Sequence, residues 1–259
     1  MRLKTILLFS VLSSCISFSL FAQGREITAL DKYYRPIAAG QESLHVYNRI
    51  STIGKDSSRI EKIYDLQNRM LQSSKVSFNE ELGYNELVEE RFDTTQNRKS
   101  IKYLNLDNGK FLSYYFKNGE QVSTLQFDGI TTYTLLREGL GEPIVTEYNP
   151  LILTPKFNMT DYNDFMRRNL KYPSQAKLRG EQGVVKLLHK TDLNGKVKSR
   201  EILDEEETSS ILHEEAIRLS ILYGPEFHPL YNIYGELEEG SFVMPTVFRL
   251  SSSRTVFSN

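Results

Sequence analysis

Two hydrophobic rhythms divide this chain. From about residue 60 to 137, aromatic and β-branched residues come in short runs separated by turn residues. Ile60–Tyr64, Met70–Phe78, Leu87–Phe92, Phe111–Phe116 and Gln121–Phe127 read as strands. Asn108-Gly109, Asn118-Gly119 and Asp128-Gly129 recur at a spacing of ten, and such pairs turn one strand back on the next. The expectation is an antiparallel meander. From residue 161 onward the rhythm changes. An amphipathic helix over Asp161–Leu170 carries Phe165 and Leu170, and Pro173 ends it by holding the preceding residue extended. A strand over Val184–Thr191 follows, with Val185 and Leu187 alternating with Lys186 and Leu188. Asn194-Gly195 turns it into a second strand, Val197–Leu203, both turn residues tolerating positive φ. Leu212, Ala216 and Leu219 then form one apolar stripe of a second helix. A last strand runs Phe242–Leu250. The fold class is therefore α+β: a β-rich meander, then a small three-stranded antiparallel sheet with two helices on one face.

The order and spacing of this second region resemble the C-terminal domain of the TonB energy-transducer family. Tyr172-Pro173, Ala176, Gly183, Val185, Gly195, Val197, Leu212, Glu215-Ala216, Pro229, Pro245 and Phe248 fall where the family places those residue types. There are departures. Phe227 stands where the family usually has Trp, and His189 occupies a position usually taken by a large apolar residue. The Asn-Gly and Asp-Gly units of the first region resemble the MORN-type, YwqK antitoxin-like repeats of bacterial envelope proteins. Leu66-Gln-Asn68, where an earlier turn would fall, lacks the glycine.

Five segments are expected: a signal peptide over 1–22, a β-rich domain over 23–137, a linker over 138–155, the TonB-like domain over 156–250 and a tail over 251–259. Met1-Arg-Leu-Lys4 followed by an apolar stretch to Ala22 has the form of a secretory signal. Leu12-Ser13-Ser14-Cys15 also matches a lipoprotein box that would lipidate Cys15, and an uncleaved anchor is the third reading of the same stretch. These readings place the protein in the periplasm or cell envelope, with membrane association only through that terminus. Cys15 is the sole cysteine, so a chain cut after Ala22 has no thiol and no disulfide.

Charge narrows the function. The 32 basic and 33 acidic residues leave a net charge of −1, unlike the concentrated positive charge of a nucleic-acid surface. His45, His189, His213 and His228 show no metal-ligand spacing, and His213-Glu214-Glu215 is not the two-histidine zinc motif. The run Asp204–Glu207 reads as a solvated acidic loop before a helix rather than a calcium site. Tyr114, Tyr115 and Tyr133 suit a sheet surface better than a ligand cleft. No nucleophile elbow, phosphate loop or dinucleotide fingerprint occurs, so neither enzyme nor cofactor is expected.

The resemblance implies a binding role. The family's domain grips a short segment of an outer-membrane transporter by strand addition at a sheet edge. Here that edge is expected to be the last strand, through Phe242, Val243, Met244, Thr246, Val247, Phe248, Arg249 and Leu250, with Pro245 suited to an edge because it lacks a donor. The implied partner is a TonB-dependent outer-membrane transporter or another envelope protein. The alternative is a scaffold whose TonB-like domain forms a homodimer through the same edge. Family transducers also carry a Ser/His pair in their membrane anchor and a Pro-rich spacer. Residues 1–22 hold no histidine and no such spacer follows, which points to a secreted relative that keeps the gripping module.

Overall fold

Ten strands follow one another before the first α-helix. The computed structural model describes residues 24–54, 56–203 and 205–250. The signal, lipidation and anchor readings of the N-terminus, and the expected tail, lie outside the described residues. The chain divides into two compact units after Asn97, inside the region expected as a single β-rich domain.

The first unit is an antiparallel meander of β1 (Arg25–Leu30), β2 (Tyr47–Ile53), β3 (Arg59–Asp65), β4 (Met70–Asn79) and β5 (Tyr84–Phe92). Most of its side chains are half-buried on both faces, and among its described residues Leu30 is the one apolar residue in the fully buried set. Local chemistry carries much of the order. Asp31, Asp65 and Asp93 each accept the backbone N–H groups two and four residues on, at 2.8–3.0 Å. The fourth residue of each loop, Tyr34, Asn68 or Gln96, sits at φ 60–66°. The aspartate closes the loop so firmly that a non-glycine residue accepts the left-handed conformation. This explains the turn at Leu66-Gln-Asn68: Asn68 itself takes the position where a glycine is missing.

The second unit opens with β6 (Arg98–Asn105), β7 (Phe111–Lys117), β8 (Glu120–Phe127), β9 (Tyr133–Arg137) and β10 (Leu140–Thr146). Asn118 and Gly119, at φ 52° and 86°, make the tight hairpin expected between β7 and β8. Asp128 anchors the next loop by accepting N–H from Ile130, Thr131 and Thr132, and those donors pull its carboxyl down to about 2. The stretch expected as a linker, 138–155, is not one throughout. β10 occupies its first half, with Ile144 opposite Leu135 and Val145 opposite Thr134. Two β-branched residues beside a free strand add to the ladder, Ile144 half-buried and Val145 exposed.

The α+β module follows. Its elements are α1 (Met159–Asn169), α2 (Ser174–Arg179), β11 (Gly183–Thr191), β12 (Val197–Leu203), α3 (Ser210–Tyr223), the short pair β13 (Leu230–Tyr231) and β14 (Leu237–Glu238), and β15 (Ser241–Phe248). The sheet order is β12-β11-β15, all antiparallel. The inward residues of β11 and β15 meet the helices in two clusters. One joins Ala176, Val185, Leu212, Ala216 and Phe248; the other joins Tyr162, Phe227 and Met244. The helices are three rather than the two expected. The six-residue α2 follows Pro173, which is extended at the N-cap, and is closed by Gly180 in the left-handed conformation.

Candidate functional site

β15 lies at the edge of the three-stranded sheet, and no further strand pairs with it among the described residues. Its parity decides what that edge offers. Thr191 donates its N–H to the Gly240 carbonyl at 2.9 Å, one register step beyond the Lys190–Ser241 pair. Hydrogen-bonded pairs alternate along an antiparallel ladder. The backbone groups of Phe242, Met244, Thr246 and Phe248 are therefore consumed by β11. Those of Ser241, Val243, Pro245 and Val247 point away from it. Pro245 supplies only a carbonyl, so Val243 and Val247 hold the two outward N–H groups at the strand's centre and end.

Side chains follow the opposite bookkeeping of faces. Met244, Thr246 and Phe248 are buried against the helices. Val243 and Val247 stand 41% and 46% exposed on the open face, with exposed Pro245 between them. From Ser241 to Phe248 there is no charged residue. The other edge, β12, carries Lys198, Arg200 and Glu201, and Lys198 and Glu201 are ion-paired with Glu239 and Lys190. Charged edges discourage pairing with another chain. One edge of this sheet is guarded and the other is open.

The expected edge residues thus split into three sets. Val243 and Val247 turn their N–H groups away from the sheet. Phe242, Met244, Thr246 and Phe248 are turned to the sheet or core. Arg249 and Leu250 lie past the end of β15, where Leu250 donates its N–H to the Gln182 side chain at 2.9 Å. Sequence alone misses this split because parity depends on the register with β11, about sixty residues away.

The expected structural residues take these places in the domain. Tyr172 donates its hydroxyl to the Glu181 carbonyl and packs edge-on against Phe248, 5.8 Å between ring centres. Ala176 is fully buried, leaving room for α2 to sit on α3. Gly195 has φ 79°, and a Cβ there would collide with the Phe227 carbonyl. Its loop is the five residues Asp192–Lys196 between β11 and β12. Asp192 accepts N–H from Asn194 and Lys196 at 2.9 Å, and only Gly195 takes positive φ. Asn232 repeats the device with Tyr234 and Glu236. Phe227, where the family usually has Trp, is fully buried among Phe157, Tyr162, Phe242 and Met244. Pro229 follows it and leads into β13. Gly183 opens β11 opposite Phe248, and Ala216 lies in the core between Leu212 and Leu219.

Glu215 does more than fill a helix position. Its carboxylate accepts the Lys171 N–H at 2.7 Å and both arms of Arg218 at 2.7 Å, and Arg218 also reaches the Asn169 carbonyl at 2.8 Å. This pair ties the end of α1 to α3. Burial alone would raise the Glu215 pKa, but the Arg218 and Lys171 hydrogen bonds and charges outweigh it and hold it low.

His189 is fully buried on β11. One ring nitrogen bonds the Leu187 carbonyl at 3.1 Å and the other the Ser220 hydroxyl at 2.6 Å, while Arg200 donates to that same hydroxyl at 2.7 Å. Burial, then the nearby Arg200 charge, lowers the His189 pKa. An imidazole at an apolar position is thus accommodated as a neutral, hydrogen-bonded group. The other histidines are local: His45 meets Asn48, His213 meets Thr208, and His228 stacks on Tyr148 at 4.1 Å.

Tyr114 and Tyr115 are neighbours on β7 and point to opposite faces; Tyr133 stacks on Phe127 at 4.4 Å. The three tyrosines lie on the sheet and do not converge on a cleft. Among the described residues no cluster of three potential metal ligands forms, and no helix is long and apolar enough to cross a membrane. Asp204 of the acidic run lies outside the described residues.

No curated protein and no solved structure matches the chain. Residues 168–250, about a third of the chain, match the model of the family described as Gram-negative bacterial TonB protein C-terminal. The matched span takes in the end of α1, the Glu215 clasp, Gly195, the buried Phe227 and the open edge: over residues 168–250 the chain is similar to the TonB C-terminal domain.

Proposed function

We propose that this is an envelope protein whose β15 edge receives an extended segment of an outer-membrane transporter, or of another envelope partner, by strand addition. The observation that carries the reading is the contrast between the two sheet edges. β15 leaves the Val243 and Val247 N–H groups unpaired and has no charge along Ser241–Phe248, whereas β12 is charged. Backbone bonds would supply the affinity, and the exposed Val243 and Val247 side chains would contact the added strand on the open face. Such a domain works by contact rather than by chemistry at a catalytic centre, and its place is the periplasm.

The test uses proline where the structure tolerates it. The Val243 and Val247 N–H groups are not used by β11, so the double variant Val243→Pro/Val247→Pro keeps the inner ladder but erases the two outward donors beyond Ser241. Capture of outer-membrane transporters from envelope extracts, by the full chain, should fall to background in this variant while its circular dichroism is unchanged. Undiminished capture by the folded variant would sink the proposal. A self-complex that vanishes in the same variant, with no transporter captured by the parent chain, would replace it with homodimer formation at this edge.

A further inference from the structure

We propose that the first unit binds a phosphate ester in a concavity on one face of its sheet, between Arg25 and Lys62. The register places Arg25 (β1), Ile50 and Thr52 (β2), and Ile60, Lys62 and Tyr64 (β3) on the same face. Together they line an open hollow of about 310 Å³, within the range of small-molecule sites. Arg25 and Lys62 stand on the strands either side of β2, so their backbones are about 10 Å apart across the sheet. Side chains of that length can lean over Thr52 from both sides and meet one anion.

The two faces of this unit differ in how their charge is held. On the opposite face Arg59 pairs with Glu61 at 2.7 Å and Arg91 with Glu89 at 2.9 Å, and Arg49 is largely covered, its Nε buried. On the hollowed face neither Arg25 nor Lys62 has a carboxylate within ion-pair distance among the described residues. The next cation along, Lys75, already feels Asp56. Two cations without carboxylates beside one hollow favour a dianion over a monoanion. The Arg25 fork suits phosphate oxygens, and Lys62 adds a point charge. The Thr52 and Tyr64 hydroxyls are further donors. Ile50 and Ile60 form an apolar floor for the body of the ester.

The test is calorimetry on the full chain at low ionic strength with glucose 6-phosphate. One site is expected. Arg25→Gln and Lys62→Gln should each weaken it about tenfold, equivalent to about 1.4 kcal/mol. Arg59→Gln, on the paired face, should leave it unchanged. Glucuronate, similar in size but a monoanion, should bind more weakly. Vesicles of phosphatidylglycerol against phosphatidylcholine identify the source. Binding to the former that glucose 6-phosphate displaces points to a lipid headgroup; glucose 6-phosphate binding without vesicle binding points to a soluble ester. No heat with the sugar phosphate together with no phosphatidylglycerol preference, equal affinity for glucuronate, or an equal loss in Arg59→Gln would each overturn the site.

Discussion

The two halves of this chain solve the same problem differently. The first-unit meander keeps most side chains half-buried on both faces and closes its loops with aspartates. The C-terminal α+β domain alternates sharply between buried and exposed residues and covers one sheet face with helices. In the meander, order is local: each aspartate sets its own turn. In the C-terminal domain, order is distant: Glu215, Phe227 and His189 each act on a segment far away in sequence. A substitution should therefore spread in the second region and stay confined in the first.

Phe227→Ala is the strongest attack on that contrast. It empties the centre of an aromatic cluster and should cost the C-terminal domain about 3–5 kcal/mol. The half-buried meander residue Leu87, cut to alanine, should cost about 1 kcal/mol. Thermal melts together with amide exchange read both; equal losses would break the comparison. Next comes Glu215→Ala, which strips the Lys171 N–H and Arg218 of their acceptor and should cost about 2–3 kcal/mol. Its exchange signature is faster opening at the α1 end. If protection there is unchanged, the clasp does not join α1 to α3.

Acid offers a gentler probe. The unfolded imidazole of His189 protonates near 6.5, while the folded one resists to a lower pH because it is buried beside Arg200. Its folded pKa is depressed, so the unfolded chain binds the extra proton first. Stability is full above 6.5 and declines as pH falls from there toward the folded value. His189→Leu should flatten that decline between pH 7.5 and 5.5, and an unchanged slope in calorimetric melts would remove His189 as its cause. The smallest effect belongs to the meander. Asn68→Gly should be close to neutral, whereas Asn68→Ala should cost about 1 kcal/mol, because only the alanine is strained at φ 60°. Chemical denaturation resolves the two; similar values would show that the Asp65 anchor, not the residue at the turn, sets that loop.

Much of this was legible before any coordinate. Strands β3, β4, β5, β7, β8, β11 and β12 follow from runs and alternation, and α3 follows from the Leu212, Ala216 and Leu219 stripe. Strands β1, β2, β6, β9 and β10 do not, because their apolar residues are interleaved with charge or fall among glycines and prolines. Tyr162, the buried anchor of α1, is hidden by its polar end; Phe165 and Leu170 look more apolar but are only half-buried.

The sequence by itself determined the hairpins, the helix stripe and the likeness of residues 168–250 to the TonB C-terminal family, since each depends on residues a few positions apart. It also determined that β15 would be an edge, through the donor that Pro245 lacks. Tertiary structure alone decided which backbone groups that edge presents, that Glu215 binds the end of another helix, and that His189 lies neutral in a core. The reason is physical. Turns and faces are set by local φ/ψ preferences and side-chain period. Hydrogen-bond parity, burial and the pKa of a buried group are set by whichever distant segment the fold brings alongside.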